Sequence, residues 1–421
     1  MDKIFKVSFI YFMPVYMLMS LLQMLNVGIY VFIWYPVLLF VVVKALQLGV
    51  SKKNGISICF TSFLIYCILT GVCYSFNDTP IDCYFNGLKS FVLPMLFFYL
   101  GSYYSFTKEY KNLYVLSCLV CFVIGFYLYF ATPDFYRQFL AETANNSWYN
   151  VERSEDAIIE TARFSSFFNN SYAIEFLGGP LLILSFERAL NGKRFKEKFL
   201  MYIVAVIALL AITLSMQRAG ILLSVVFMMF YTIYIRMHAK KPIIPIVVML
   251  VIFFSIFLYI GIGNERFSAI FEVMLERFKG IGISDVGEGR ILEFGRSNEI
   301  SLLFGLGVGA AGQFAGAKGL QAIFDMEYVK DFYEFGLFGF TILLIIFSLT
   351  LIRGVRQFYE YRTEMCVILY FLLCSLISNG LTQYINCAFF WYCIGRVWKS
   401  KDQTQKSRQW YSLHKLKTCN S

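Results

Sequence analysis

The sequence predicts an all-α, polytopic integral membrane protein with about twelve transmembrane helices, both termini in the cytosol and two long extracytoplasmic loops. Three observations carry that expectation. Of 421 residues, 58% are hydrophobic, 19% aromatic and only 15% charged, too apolar for a soluble domain of this length. The apolar residues come in runs of roughly 17–25, the length that crosses about 30 Å of hydrocarbon as helix. The Lys and Arg residues, finally, fall in alternate loops.

Taken in order, MDKIF and some twenty apolar residues form a run too long for a signal peptide and lack a small-residue cleavage site, so a first span is expected at 4–24. Further spans are expected at 27–49, 55–75, 86–104 and 112–131. A polar loop at 132–165 precedes spans at 169–187, 199–215, 219–236 and 242–262. The longest polar interruption, 264–334, then leads to a span at 335–352 and a compact pair within 365–397, split near Asn379 and Gly380. The whole of 1–421 reads as one transmembrane domain, closed by a basic cytoplasmic tail at 398–421.

The formal charge of +10 could suggest nucleic acid, but the positions of the cations say otherwise. Lys52 and Lys53, Lys108 and Lys111, the group from Arg188 to Lys198, Arg236 to Lys241, and Arg353 to Arg362 occupy alternate loops, and the tail adds more. The bias of Lys and Arg toward the cytosol places all of these inside, which puts 132–165 and 264–334 together outside. No nucleic-acid partner is expected.

Eleven cysteines lie mostly inside spans, without the paired spacing of a metal site or a disulfide framework; Cys118 and Cys121 read as small core residues. The two histidines, His238 and His414, both fall on the cytosolic side. Outer-face chemistry must therefore do without imidazole, which disfavours a histidine-based metal site or triad there.

What the outer face offers is arginine and carboxylate. Arg163 closes the first long loop, Arg218 sits in the tight turn LSMQRAG, and Arg290 and Arg296 lie in the second loop. A cation in a short turn between apolar spans opposes the charge bias, although an arginine at a helix end can also reach lipid headgroups. Guanidinium groups offer paired donors to phosphate oxygens, so several at one membrane edge suit a lipid-linked pyrophosphate.

Within 264–334, Phe267, Ile270, Phe271, Met274, Leu275 and Phe278 recur at helical spacing opposite a charged face, predicting an amphipathic surface helix. GVGAAG at 307–312 formally matches a dinucleotide fingerprint but lacks the flanking strand, so it predicts a tight turn or close backbone approach. Asp325, Glu327, Tyr328, Asp331 and Glu334 follow directly, and a carboxylate there could accept a proton from a sugar hydroxyl.

Three stretches in this order, ARFSSFFNNSYAIEFLG, TLSMQRAGILL and GRILEFGRSNEISLLFGLGVG followed by DMEYVKDFYEFGLFGF, resemble the O-antigen polymerase (Wzy) and ligase superfamily of bacterial envelope proteins. The resemblance extends to the hydropathy profile of nearly the whole chain. Arg163 to Gly179 and Arg296 to Gly307, with fifteen and ten intervening residues, also match spacings described for polymerases of the family. Its ligases carry a histidine near the end of the second loop, where this chain reads DMEYVKDFYEFG, so the resemblance is to the polymerases.

The resemblance implies a multi-pass protein of the bacterial cytoplasmic (inner) membrane that joins undecaprenyl-pyrophosphate-linked oligosaccharide repeats on its outer face, for O-antigen of lipopolysaccharide or for capsule. It implies membrane lipids, a chain-length regulator and a flippase of the same pathway as partners. Arg163, Arg218, Arg290 and Arg296 would hold the diphosphate, and Asp325 or Glu327 would activate the acceptor; no cofactor or metal is then required. The alternatives are an O-antigen ligase of the same superfamily and, as the competing class, a flippase or exporter of the same lipid-linked sugar, expected to carry ionisable residues deep within several spans. A scaffold without catalysis would leave the arginines without a purpose.

Overall fold

The computed structural model describes residues 14–25, 39, 42–48, 55–75, 79–104, 108–145, 163–168, 171–192, 194–215, 217–239, 255, 299–312, 315, 326–381 and 387–399. Among the described residues the chain is all-helical. An apolar helix at Pro14–Met24 precedes α1 (Gly55–Leu69), which runs on as a 3-10 turn at Thr70–Ser75. Then come α2 (Ile81–Tyr103), α3 (Lys108–Ala131), α4 (Asp134–Asn145), α5 (Tyr172–Asn191), α6 (Phe195–Leu214) and α7 (Arg218–Ala239). The short α8 (Glu299–Phe304), the long α9 (Glu327–Arg356), α10 (Phe358–Cys374) and α11 (Ala388–Val397) complete the described helices.

Among the described residues, five helices are long and apolar enough to cross a membrane: Gly55–Val72, Ile81–Tyr103, Glu109–Ala131, Phe195–Leu214 and Glu327–Arg356. Their outward faces are apolar as well. On α3, Leu116 (55% exposed), Val120 (48%), Val123 (52%) and Tyr127 (66%) make a stripe at helical spacing, and α1 shows a similar row from Ile58 to Val72. Exposed apolar rows of this extent belong against lipid rather than water.

At the centre stands α5. Sixteen of its twenty residues are buried, and it packs on α3, α6, α7 and α10. A helix enclosed by protein can carry what a lipid-facing helix cannot, and α5 carries Glu175, Pro180 and a glycine pair. Gly179 lies directly under the Tyr370 ring, where a Cβ would not fit. Pro180 removes one helical donor, and tyrosine hydroxyls from neighbouring helices serve carbonyls just before it: Tyr370 donates to Glu175 O (3.3 Å) and Tyr114 to Leu177 O (3.4 Å).

Side-chain contacts sort the helix ends into two groups. At one end, ion pairs clasp the helices: Arg362 to Glu187 (2.8 Å), Arg188 to Glu197 (3.4 Å) and Arg396 to Glu364 (3.4 Å). Thr363 also donates to Glu187, and the Arg353 guanidinium lies 4.6 Å over the Trp398 ring. This end holds the cations at Arg188, Arg353 and Arg362 that form the alternating set in the sequence. The opposite end joins the start of α5 to the start of α7, and the start of α9 to the segment between α10 and α11.

Two segments differ from the simplest reading of the sequence. The 132–165 segment contains α4, whose Tyr136 is fully buried and donates to Ser166 O (3.0 Å). The helix that the apolar run places at 335 begins eight residues earlier, at Glu327, and is interrupted at Gly336. Residues 327–335 fold as helix because their apolar side finds partners: Phe335 meets Phe63 edge-on (5.3 Å) and Phe91 at a tilt (5.0 Å). The amphipathic helix expected over 267–278 lies outside the described residues.

Candidate functional site

The segments that carry Arg163 and Arg218, far apart in sequence, are joined by the backbone. Phe164, directly after Arg163, donates its amide to Leu214 O at the end of α6 (3.1 Å), and the turn from Leu214 leads within four residues to Arg218, the first residue of α7. Arg163 is half-buried. Its register is set by Phe164, which is fully buried and stacked on Phe126 at 4.8 Å. Ser166, at φ 54°, turns the chain there and donates its hydroxyl to Cys121 O (2.9 Å). The sequence motifs around both arginines thus fold against each other, while Arg290 and Arg296 lie outside the described residues.

Beneath this edge sits Glu175, with no exposed surface. Ser378 donates to its Oε2 (3.4 Å), and its Oε1 has no hydrogen-bond partner among the described residues. Gly220, the third residue of α7, lies against it so closely that a Cβ would stand 2.8 Å from Oε1. Gln217 Nε2 donates to Ser171 Oγ (3.0 Å), a second tie between the same two helix starts.

The second carboxylate group is on α9. Glu327, Lys330, Asp331 and Glu334 fall at i, i+3, i+4 and i+7, one face of the helix, and each is at most 1% exposed. Lys330 Nζ lies 2.7 Å from Glu327 Oε1 and 3.9 Å from Asp331 Oδ1. Leu381 N donates to Glu327 Oε2 (3.1 Å), and Ala311 N to Glu334 Oε1 (3.3 Å). Neither oxygen of Asp331 has a hydrogen-bond partner among the described residues, nor has Glu334 Oε2. Three carboxylates against one ammonium is an expensive thing to bury, at several kcal/mol per uncompensated ion. Ionisable groups enclosed in a membrane bundle are functional candidates for that reason.

Residues 378–381 join the two carboxylate groups. Ser378 reaches Glu175 and Leu381 reaches Glu327, with Asn379 and Gly380 between them. On the far side of the α9 stripe, the glycine segment at 307–312 is built into the bundle. Val308 and Ala311 are buried, and Val308 N donates to Thr70 Oγ1 (3.2 Å). Its glycines serve close backbone approach, to protein: Gly309, at φ 86°, abuts Gly87 of α2, and Gly307 N donates to Glu334 O (3.0 Å).

Of the two expected acceptor-activating residues, Asp325 lies outside the described residues. Glu327 is described, and both its oxygens are engaged, by Lys330 and by Leu381. Such a carboxylate is better suited to holding structure than to taking a proton. Lys330 and Ser378 have no part in the sequence reading, Glu175 receives no role there, and Asp331 and Glu334 enter only as members of the acidic cluster. A signal for Glu327, Lys330, Asp331 and Glu334 existed in E-x-x-K-D-x-x-E, whose spacing is that of one helix face. It is also the spacing of a solvated face, and only the partners distant in sequence decide between the two. Among the described residues, no group of three or more His, Cys, Asp or Glu side chains is arranged to hold a metal ion.

Compared with known proteins, the chain matches no family model and no curated sequence.

Proposed function

We propose that this chain is a polysaccharide polymerase of the bacterial cytoplasmic membrane, with about twelve spans, both termini in the cytosol and the 132–165 and 264–334 segments outside. It joins oligosaccharide repeats carried on undecaprenyl pyrophosphate at the outer face. The observation that carries this reading is the meeting of the Arg163 segment with the start of α7 at the Phe164–Leu214 bond, above the buried Glu175. Two arginines at one helix start, whose free amides are themselves electropositive, suit a diphosphate at the membrane edge.

In the reaction an acceptor hydroxyl attacks the anomeric carbon of the donor sugar. The bond from that carbon to the diphosphate oxygen breaks, the electron pair leaves with the diphosphate, and the hydroxyl proton passes to a carboxylate. Arg163 and Arg218 neutralise the charge that develops on the leaving group, joined by Arg290 and Arg296 from the second loop. Asp325 remains the carboxylate proposed for the proton, since Glu327 is engaged by Lys330 and Leu381.

Arg218→Ala tests this. The variant should insert at wild-type level and make no long polysaccharide in a strain lacking the native gene; a full-length ladder from it would reject the assignment. A second reading, export or flipping of the same lipid-linked sugar, is favoured by one observation, the enclosed stripe of Glu327, Lys330, Asp331 and Glu334. Deletion separates the two: single repeats displayed outside indicate a polymerase, and repeats retained on the inner leaflet indicate a flippase.

A further inference from the structure

Glu175 has a position that the proposed chemistry does not explain. It is a carboxylate with no exposed surface, in the first turn of an enclosed helix, and no ion pair to it occurs among the described residues. An amide of the same shape would satisfy Ser378 without the cost of burying a charge. What a carboxylate adds is attraction to the positive end of a helix, and such an end is beside it. Gly220 lies against Oε1, and the amides of Arg218, Ala219 and Gly220 are the first three of α7, which have no acceptor within their own helix. The first amide with such an acceptor is Ile221, bonded to Gln217 O (3.1 Å). The Gln217–Ser171 bond holds the same two helix starts together.

We propose that Glu175 is a positioning residue for the diphosphate-binding edge: packed against Gly220, it fixes the first turn of α7 and with it the placement of Arg218. This inference rests on the polymerase reading and deepens it by naming what supports the arginine from the protein interior. Gly220 is the only residue type that lets the carboxylate approach the helix axis so closely, because a methyl group at 220 would occupy the space of the Glu175 side chain. Glu175 touches neither substrate nor leaving group in this role. Its loss therefore weakens donor binding and, through the displaced Arg218, slows the step at saturation as well.

The test uses the full chain in nanodiscs, with undecaprenyl pyrophosphate as the binding probe and polymerisation of the lipid-linked repeat as the kinetic readout. Glu175→Ala is expected to weaken probe affinity and to lower kcat/KM by roughly tenfold or more, with KM raised and kcat reduced in the same variant. Glu175→Gln keeps the shape and an acceptor for Ser378 but not the charge that faces the first amides of α7, and should recover only part of that affinity. Should the alanine variant fail to fold, Glu175→Asp, which withdraws the carboxylate from Gly220 by one methylene, replaces it with the same expected direction. Wild-type affinity and KM in the shortened or truncated variant would overturn the inference while leaving the polymerase reading in place. Failure of the wild-type protein to bind the probe would overturn both.

Discussion

Gly305 and Gly336 stand backbone to backbone, each in the space where the other's side chain would be. Both have positive φ, 78° and 61°, and a Cβ on either would enter the peptide of the other's segment. Gly336, with ψ −173°, occupies a region essentially closed to other residues. Gly336→Ala is therefore expected to destabilise the protein by at least about 1–2 kcal/mol from backbone strain alone. Leu337→Ala, at a half-exposed position one residue on, serves as the control and should shift the melting temperature in detergent far less.

The same junction is held by one hydroxyl. Tyr66 Oη lies 2.8 Å from the Phe304 carbonyl and 2.6 Å from the Phe335 carbonyl, which share its proton. Tyr66→Phe should cost about 1–3 kcal/mol, since two carbonyls lose their shared donor. Thermal unfolding in detergent measures the loss directly. A melting temperature equal to wild type would show that these carbonyls find other donors.

Removing Lys330 should do more harm than removing its pair. Lys330→Met leaves Glu327 buried without its cation and is expected to cost about 3–5 kcal/mol. Adding Glu327→Gln to it should return part of that loss, because the uncompensated charge is gone. A double-mutant cycle in thermal stability gives the coupling, and strict additivity of the two changes would contradict the ion pair.

Arg362 lies at the opposite end of the bundle, bonded to Glu187. Arg362→Ala should lower stability by about 1 kcal/mol, within the range for a half-buried pair after allowance for solvent. Polymer length and donor KM per folded molecule should stay at wild-type values. A change in KM would mean that the two ends are coupled through α5.

Much of this was legible in the sequence because it follows from solubility and length. The spans of α1, α3 and α6 coincide with apolar runs, and the motifs around Arg163 and Arg218 mark helix entries that tertiary structure then joins. α4 was legible too, since Thr132, Pro133 and Asp134 form a helix-start signal, but a polar segment between two spans reads more simply as loop. The 327–334 stripe is the deeper failure of sequence reasoning. Its charges look solvated until Leu381 and Ala311, fifty-four residues after Glu327 and twenty-three before Glu334, are seen to enclose them. Glu175 carried its signal in composition, a lone acid in an apolar run, but its partner is a glycine and leaves no chemical trace.

Residues 378–381 hold Glu175 by a hydroxyl at one end and Glu327 by an amide at the other. The bond at Leu381 uses the main chain, so it survives any change of side chain there except proline. It does not survive a change of length. One residue inserted between Ser378 and Leu381 would carry the amide off Glu327 while Ser378 stayed in place, and one deleted would drag the two carboxylate groups toward each other. This turn can drift in composition and cannot drift in spacing, and it sets a ruler between the arginine edge and the acidic stripe.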